Sequence, residues 1–279
     1  MLSYRHGFHA GNFADVLKHS LLCLTIIELK KKDKPFVYID THAGAGAYSL
    51  QSPFAEKTGE YRQGIGRLYP SQTFHPLLDS YFAGIRSLNT NSKLSHYPGS
   101  PEFVRALMRS QDRMQLSELH GSDFAVLQER YRNGRQISVA QEDGLKNLLK
   151  KLPPPQKRGL IFIDPSYEVK EDYSSVVDTL AKAYRRFAIG VYCLWYPVIR
   201  RETVDNLMAA LVETGIKKQL RIEHCILPDS EELGMTGSGL LFINPPWQLE
   251  SQARELMPWL NDRLTDGMGT WSVDWLVPE

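Results

Sequence analysis

Cysteine is scarce in this chain of 279 residues: Cys23, Cys193 and Cys225 are odd in number and far apart. That excludes a disulfide framework and points to a reducing compartment. Excess charge is scarce as well. Thirty-three basic residues against 32 acidic ones leave a formal charge of +1, so no global basic field surrounds the molecule, and a nucleic-acid partner has to be held by local patches. Long apolar runs are missing near the start. The stretch from Leu21 to Leu29 is broken by Thr25 and Glu28 and is too short to span a bilayer. The opening Met1-Leu2-Ser3-Tyr4-Arg5-His6 turns polar too soon for a signal peptide. These absences predict a soluble, cytoplasmic protein with no membrane partner, built as one large domain or one domain with an insertion.

What is present centres on Gly159-Leu160-Ile161-Phe162-Ile163-Asp164-Pro165-Ser166-Tyr167. An apolar run without alternation suits a strand buried on both faces of a parallel sheet, and such sheets bind ligands beyond the carboxyl ends of their strands. The residues at that rim suit the task of holding the exocyclic amine of a nucleobase for methylation. The amine is a poor nucleophile because its lone pair is delocalised into the ring. Asp164 and the Pro165 carbonyl could accept its two N–H bonds and aim the lone pair at a methyl donor, with Tyr167 stacked on the base. Asp, Pro and Ser are also ordinary turn residues, so the motif gains its meaning from its neighbours.

Residues 4–19 are rich in His, Gly and Asn and precede a helix expected from about Ala14 to Lys31, with Leu17, Leu21, Leu24, Ile26, Ile27 and Leu29 forming a broad apolar face. His19 and Cys23 are four apart on one helical face, but no Cys-x-x-Cys pair accompanies them, and no metal is expected. The start reads better as a polar hook that touches cofactor and nucleic-acid phosphate together.

A first strand, Pro35 to Asp40, runs into Thr41-His42-Ala43-Gly44-Ala45-Gly46. Glycines two apart directly after a strand let a nucleoside approach the backbone, although Ser49 stands where a dinucleotide fingerprint has its third glycine. Residues 50–94 carry Pro, Gly and Ser breaks around short helical pieces and predict a small helical insertion. Ser100 is expected to cap the next helix with Pro101 at its first position. A second strand ends at Glu118, where a carboxylate would grip ribose hydroxyls. A third ends near Asp143-Gly144, an acid and a turn suited to an adenine amine. The fourth leads into Asp164. A fifth covers Gly190 to Pro197, and Glu223–Leu227 and Gly239–Ile243 complete a seven-stranded, mostly parallel sheet. Asn244-Pro245-Pro246-Trp247 competes with Asp164 as the amine-holding motif, but it follows the strand expected to run antiparallel.

With the glycine loop, Glu118, Asp143 and Asp164 in this order, the chain resembles a class I, Rossmann-like methyltransferase of the adenine-N6 type. More closely it resembles the RlmJ family, which methylates one adenine of 23S ribosomal RNA. The run from Tyr4-Arg5-His6 to Lys18-His19, Asp40 to Gly46, Tyr97 to Pro101, Leu194 to Pro197, Met235 to Gly239 and Asn244 to Trp247 carry the likeness over essentially the whole length. The resemblance implies an S-adenosylmethionine site lined by His19, His42, Ser100, Glu118, Asp143, Gly144 and Asp164, to which the glycine loop adds Gly44 and Gly46. It implies Asp164, with Pro165 and Tyr167, as the catalytic group, and Tyr4, His6 and Lys18 as residues facing the RNA. The family usually shows Asp-Pro-Pro-Tyr; Ser166 departs from it and lifts the restriction that a second proline places on Pro165.

The expectation is therefore a cytoplasmic S-adenosylmethionine-dependent methyltransferase acting on 23S rRNA, without metal and favoured as a monomer. It would have an N-terminal motif over residues 1–35 and a methyltransferase domain over 36–279. Two alternatives stay open: a DNA adenine methyltransferase or DNA-utilisation protein, and a non-catalytic RNA-binding protein on the same fold.

Overall fold

The computed structural model describes residues 5–69, 74–90, 93–168, 171–230 and 234–279. The strands are β1 (Val37–Asp40), β2 (Ala47–Ser49), β3 (His96–Pro98), β4 (Arg113–Glu118), β5 (Ile137–Gln141), β6 (Gly159–Ile163), β7 (Val191–Val198), β8 (Gln219–Cys225), β9 (Gly237–Ile243) and β10 (Thr270–Val277). All but β2 and β3 form one sheet in the order β10-β8-β9-β7-β6-β1-β4-β5. From β5 to β7 the pairings are parallel; β9 runs antiparallel to both β7 and β8, and β10 antiparallel to β8.

Burial explains the order. Every residue of β1, β6, β7 and β9 is buried, as a sheet covered on both faces requires. The edge strands β5 and β10 are half-exposed. The sheet has one strand more than the seven expected: β10 was missed because its sequence, Thr-Trp-Ser-Val-Asp-Trp-Leu-Val, mixes polar and apolar residues as an exposed edge does. The strand expected at Glu223–Leu227 lies earlier, at Gln219–Cys225, since Leu227 is already in the exposed loop beyond it.

The helices are α1 (Phe13–Lys30), α2 (Pro53–Thr58), α3 (Ile65–Leu68), α4 (Asp79–Ser87), α5 (Ser100–Leu107), α6 (Gly121–Tyr131), α7 (Gly144–Leu148), α8 (Glu171–Arg186), α9 (Arg201–Glu213) and α10 (Leu249–Thr265). α1 and α10 lie on one face of β7–β9, where Lys18 sits 5.1 Å above the Trp195 ring. The next residue, Tyr196, points to the other face, where its hydroxyl donates to Glu223 and Glu223 accepts from Arg201 of α9. α2, α3 and α4 lie between β2 and β3, and pairing of Ala47 with Pro98 closes that excursion against the glycine loop.

Helix α5 differs from expectation in one detail. Gly99, not Ser100, is its N-cap. The Ser100 hydroxyl is drawn instead to Asp40 Oδ2 at 2.6 Å, because a buried carboxylate is a stronger acceptor than the backbone alternative is a donor.

Candidate active site

A cavity of about 520 Å³ opens at the carboxyl ends of β1, β4 and β6. Its walls include His6, Lys18, His19, His42, Gly44, Ser100, Glu118, Asp143, Gly144, Asp164 and Pro165, so residues spread over most of the chain converge on one space. Ser166 lines it too. Tyr4 lies outside the described residues.

Asp164 stands immediately after β6, where the strand run ends. Lys18 Nζ donates to its Oδ2 at 2.7 Å and also pairs with Asp15 Oδ1 at 3.0 Å. Burial works against the ammonium charge, but the two carboxylates outweigh it and hold Lys18 above the usual lysine range. Asp15 in turn accepts from His6 Nε2 and the Gly11 amide, both at 2.9 Å. Burial opposes its ionisation; His6 and Lys18 overcome this and keep it well below the usual carboxylate range. The N-terminal hook is thus a chain of paired side chains, His6–Asp15–Lys18–Asp164, which fixes one oxygen of Asp164 and leaves the other for a ligand.

His19 is buried beside it, with Nδ1 3.0 Å from the Tyr97 hydroxyl, and burial pushes its pKa down to about 3. His42 is lowered by burial as well. Both imidazoles are therefore neutral at pH 7 and can accept or donate without adding charge.

On the glycine loop, Gly44 has φ +60°, and a Cβ there would strike the Tyr48 hydroxyl. Its amide donates to Glu118 Oε2 at 2.8 Å, while His120 N donates to Oε1 at 2.7 Å. Burial raises the Glu118 pKa despite those two amides. Asp143 caps α7 through the Lys146 amide at 3.1 Å. Gly144 packs so closely on Thr41 that a Cβ would collide with the Thr41 carbonyl.

Gly46 and Tyr167 do not line the cavity. Gly46 (φ +81°) turns the chain into β2 and its carbonyl accepts from the Gly99 amide at 2.8 Å. Tyr167 is buried, with φ +52°; its hydroxyl donates to the Trp195 carbonyl at 2.8 Å and its ring lies 4.4 Å from Tyr173. A phenol buried this deeply takes the nearest acceptor, so in this arrangement it is a post under the Asp164 loop instead of a platform for a base. Asn244 is at the opposite rim, paired across from the starts of β7 and β8, and its amide donates to the Ala188 and Gly190 carbonyls. It cannot reach the cavity.

The family model described as "Ribosomal RNA large subunit methyltransferase D, RlmJ" matches residues 33–277. The chain belongs to the RlmJ family. Its relatives include the ribosomal RNA large subunit methyltransferase J of Escherichia coli (strain K12), 50% identical with both chains fully covered. The protein of the same name from Haemophilus influenzae is 46% identical, again over the full length of both. A solved Legionella pneumophila protein is 39% identical and superposes with a TM-score of 0.90 over 96% of this chain and 98% of its own.

Sequence reasoning overlooked three residues that shape this RlmJ-family cavity. Asp40 closes β1 and accepts from Tyr38, Ser100 and the His42 amide at 2.7, 2.6 and 3.1 Å. Burial, the largest influence, raises its pKa to about 6. An acid ending the first strand was the available signal. Asp15 and Trp195, which both contact Lys18, lie in stretches that carry the family likeness, but nothing local to either announces a role at Asp164. Among the described residues no cluster of three or more His, Cys, Asp or Glu side chains could hold a metal ion, and no helix is long and apolar enough to cross a membrane.

Proposed function

We propose that this chain transfers a methyl group from S-adenosylmethionine to the N6 amine of an adenine in 23S ribosomal RNA. The observation that carries the reading is Asp164, held at the mouth of β6 by Lys18, in the same cavity as Gly44 and Glu118. The cavity's lining fits the cofactor: the Gly44 turn, with no side chain to block a nucleoside, Glu118 for ribose hydroxyls, and Asp143 beside Gly144 for an adenine edge. When bound, S-adenosylmethionine supplies an electrophilic methyl group.

The chain's own residues do the rest. The free oxygen of Asp164 and the Pro165 carbonyl accept the two amine hydrogens and draw the nitrogen lone pair out of conjugation with the ring. Lys18 holds one oxygen of Asp164 at 2.7 Å and fixes its rotamer, so the acceptor is in place before substrate arrives. Neutral His19 and His42 add no positive charge near the cationic donor. The proton released on methylation leaves through Asp164 or directly to solvent. Ser166, in a loop where the family usually has proline, leaves the Asp164 loop looser and the reaction slower.

Transfer of radiolabelled methyl groups to naked 23S rRNA, assembled large subunits and DNA, run side by side, tests this reading. Transfer to rRNA or subunits supports it, and transfer confined to DNA refutes it. Asp164→Ala should abolish labelling while keeping cofactor affinity within a modest factor.

A further inference from the structure

The side of the sheet away from the cavity carries Trp247, which is 96% exposed. The backbone that leads to this ring is anchored. Asn244, at φ +52°, is tied through its amide to the Ala188 and Gly190 carbonyls at 2.8 and 2.9 Å. Pro245 and Pro246 fix the next two φ angles, and α10 begins at Leu249. A large aromatic surface is thus displayed in water on an anchored turn, with the ordering of its backbone already spent in folding.

Its surroundings are basic. Lys31 donates to Gln248, the residue after Trp247, at 2.5 Å, which brings the segment just past the end of α1, with Lys31, Lys32 and Lys34, toward this turn. The Asn244 amide donates to the Lys218 carbonyl at 3.1 Å, placing exposed Lys217 on the other flank. Glu28, Asp33 and Glu279 offset part of this charge through Lys31, Arg109 and Lys218; Lys32, Lys34 and Lys217 remain exposed. Exposed Ile189 stands between the two residues whose carbonyls hold Asn244, and Trp275, 37% exposed, donates its indole N–H to Glu250 of α10.

We infer that Trp247 and its lysines form a second RNA contact, in which an unpaired base stacks on the indole and the flanking phosphates pair with Lys32, Lys34 and Lys217. Trp247, Ile189 and the exposed part of Trp275 together give too little apolar area for a stable protein interface. Stacking plus cationic side chains is the chemistry of single-stranded nucleic acid. A paired RNA helix presents no base face to a protruding ring. The inference rests on the reading of the chain as an rRNA methyltransferase. β7 runs from this rim to the cavity rim over eight residues, roughly 25 Å, so the RNA that supplies the target adenine has to extend well beyond it to touch Trp247.

The test compares wild type, Trp247→Ala and Trp247→Phe on full-length 23S rRNA and on a short fragment of it that still accepts methyl. Trp247→Ala is expected to raise KM for the full-length RNA by about five- to fifty-fold, with kcat unchanged, with KM for the fragment unchanged, and with Trp247→Phe close to wild type. Lys32→Ala with Lys34→Ala should lower the salt dependence of full-length RNA binding by about one per lysine. Equal KM values on full-length RNA overturn the inference. So does an equal loss on both RNAs, or a wild-type dimer in sedimentation that Trp247→Ala dissolves. If wild type transfers no methyl to rRNA, the enzymatic reading fails, and binding of full-length 23S rRNA by the same variants still decides this one.

Discussion

Lys18 Nζ lies 2.7 Å from Asp164 Oδ2 and 3.0 Å from Asp15 Oδ1, and it is 3% exposed. A buried cation between two carboxylates is costly to form and more costly to break, because removing it takes the paired lysine from Asp164 and leaves Asp15 with only His6 and the Gly11 amide. Lys18→Met is expected to lose on the order of 3–5 kcal/mol of stability and roughly a hundred-fold in single-turnover rate. Lys18→Arg keeps the charge and should recover much of the stability while remaining slower than wild type, since the longer fork displaces Asp164. Chemical denaturation alongside single-turnover methylation checks both; wild-type rates in Lys18→Met would show that Asp164 needs no holding.

Ser166 offers a gain of function. Proline at 166 would confine Pro165 to extended conformations and stiffen the loop that presents its carbonyl. Ser166→Pro should raise the single-turnover rate a few-fold, and a slower variant would refute the idea that looseness limits this enzyme.

His19 predicts an acid limb of stability. Burial depresses its pKa to about 3, so the contribution of the neutral ring is complete above the unfolded value near 6.5 and is lost as pH falls toward 3. Asp40, raised to about 6, acts oppositely: its contribution is present near pH 4 and is lost as pH rises through 6. The two overlap, and the comparison with His19→Gln separates them. Between pH 7 and pH 4 wild type should lose on the order of 1–3 kcal/mol more than the variant, measured by urea denaturation across that range. Parallel curves would mean the ring is not buried neutral.

Gly144 is a test of close packing. A Cβ there would collide with the Thr41 carbonyl, and backbone cannot yield as a flexible side chain does. Gly144→Ala should lower stability by about 1–3 kcal/mol and weaken S-adenosylmethionine binding in calorimetry. An unchanged melting temperature would show that the β1 loop has slack.

Much of the site was legible because its parts are local signals in a fixed order. A continuous apolar run makes a buried strand, and an acid or glycine directly after it stands at the carboxyl rim, so Gly44, Glu118, Asp143 and Asp164 could be placed from spacing alone. Asn244 could be set aside by the same logic, and β9 does end at the other rim.

Partnership was not legible. Lys18 and Asp164 are 146 residues apart, and nothing near either one announces the other. The Ser100 hydroxyl was expected to cap its own helix until Asp40, 60 residues away, proved the better acceptor. Tyr167 was expected to present its ring to a base, yet the Trp195 carbonyl claims its hydroxyl. The sequence by itself determined which residues reach the rim, because strand length and turn chemistry act over a few neighbours. Only the tertiary structure decided which of them touch, because a buried polar atom binds whichever partner the packing of distant elements brings within about 3 Å.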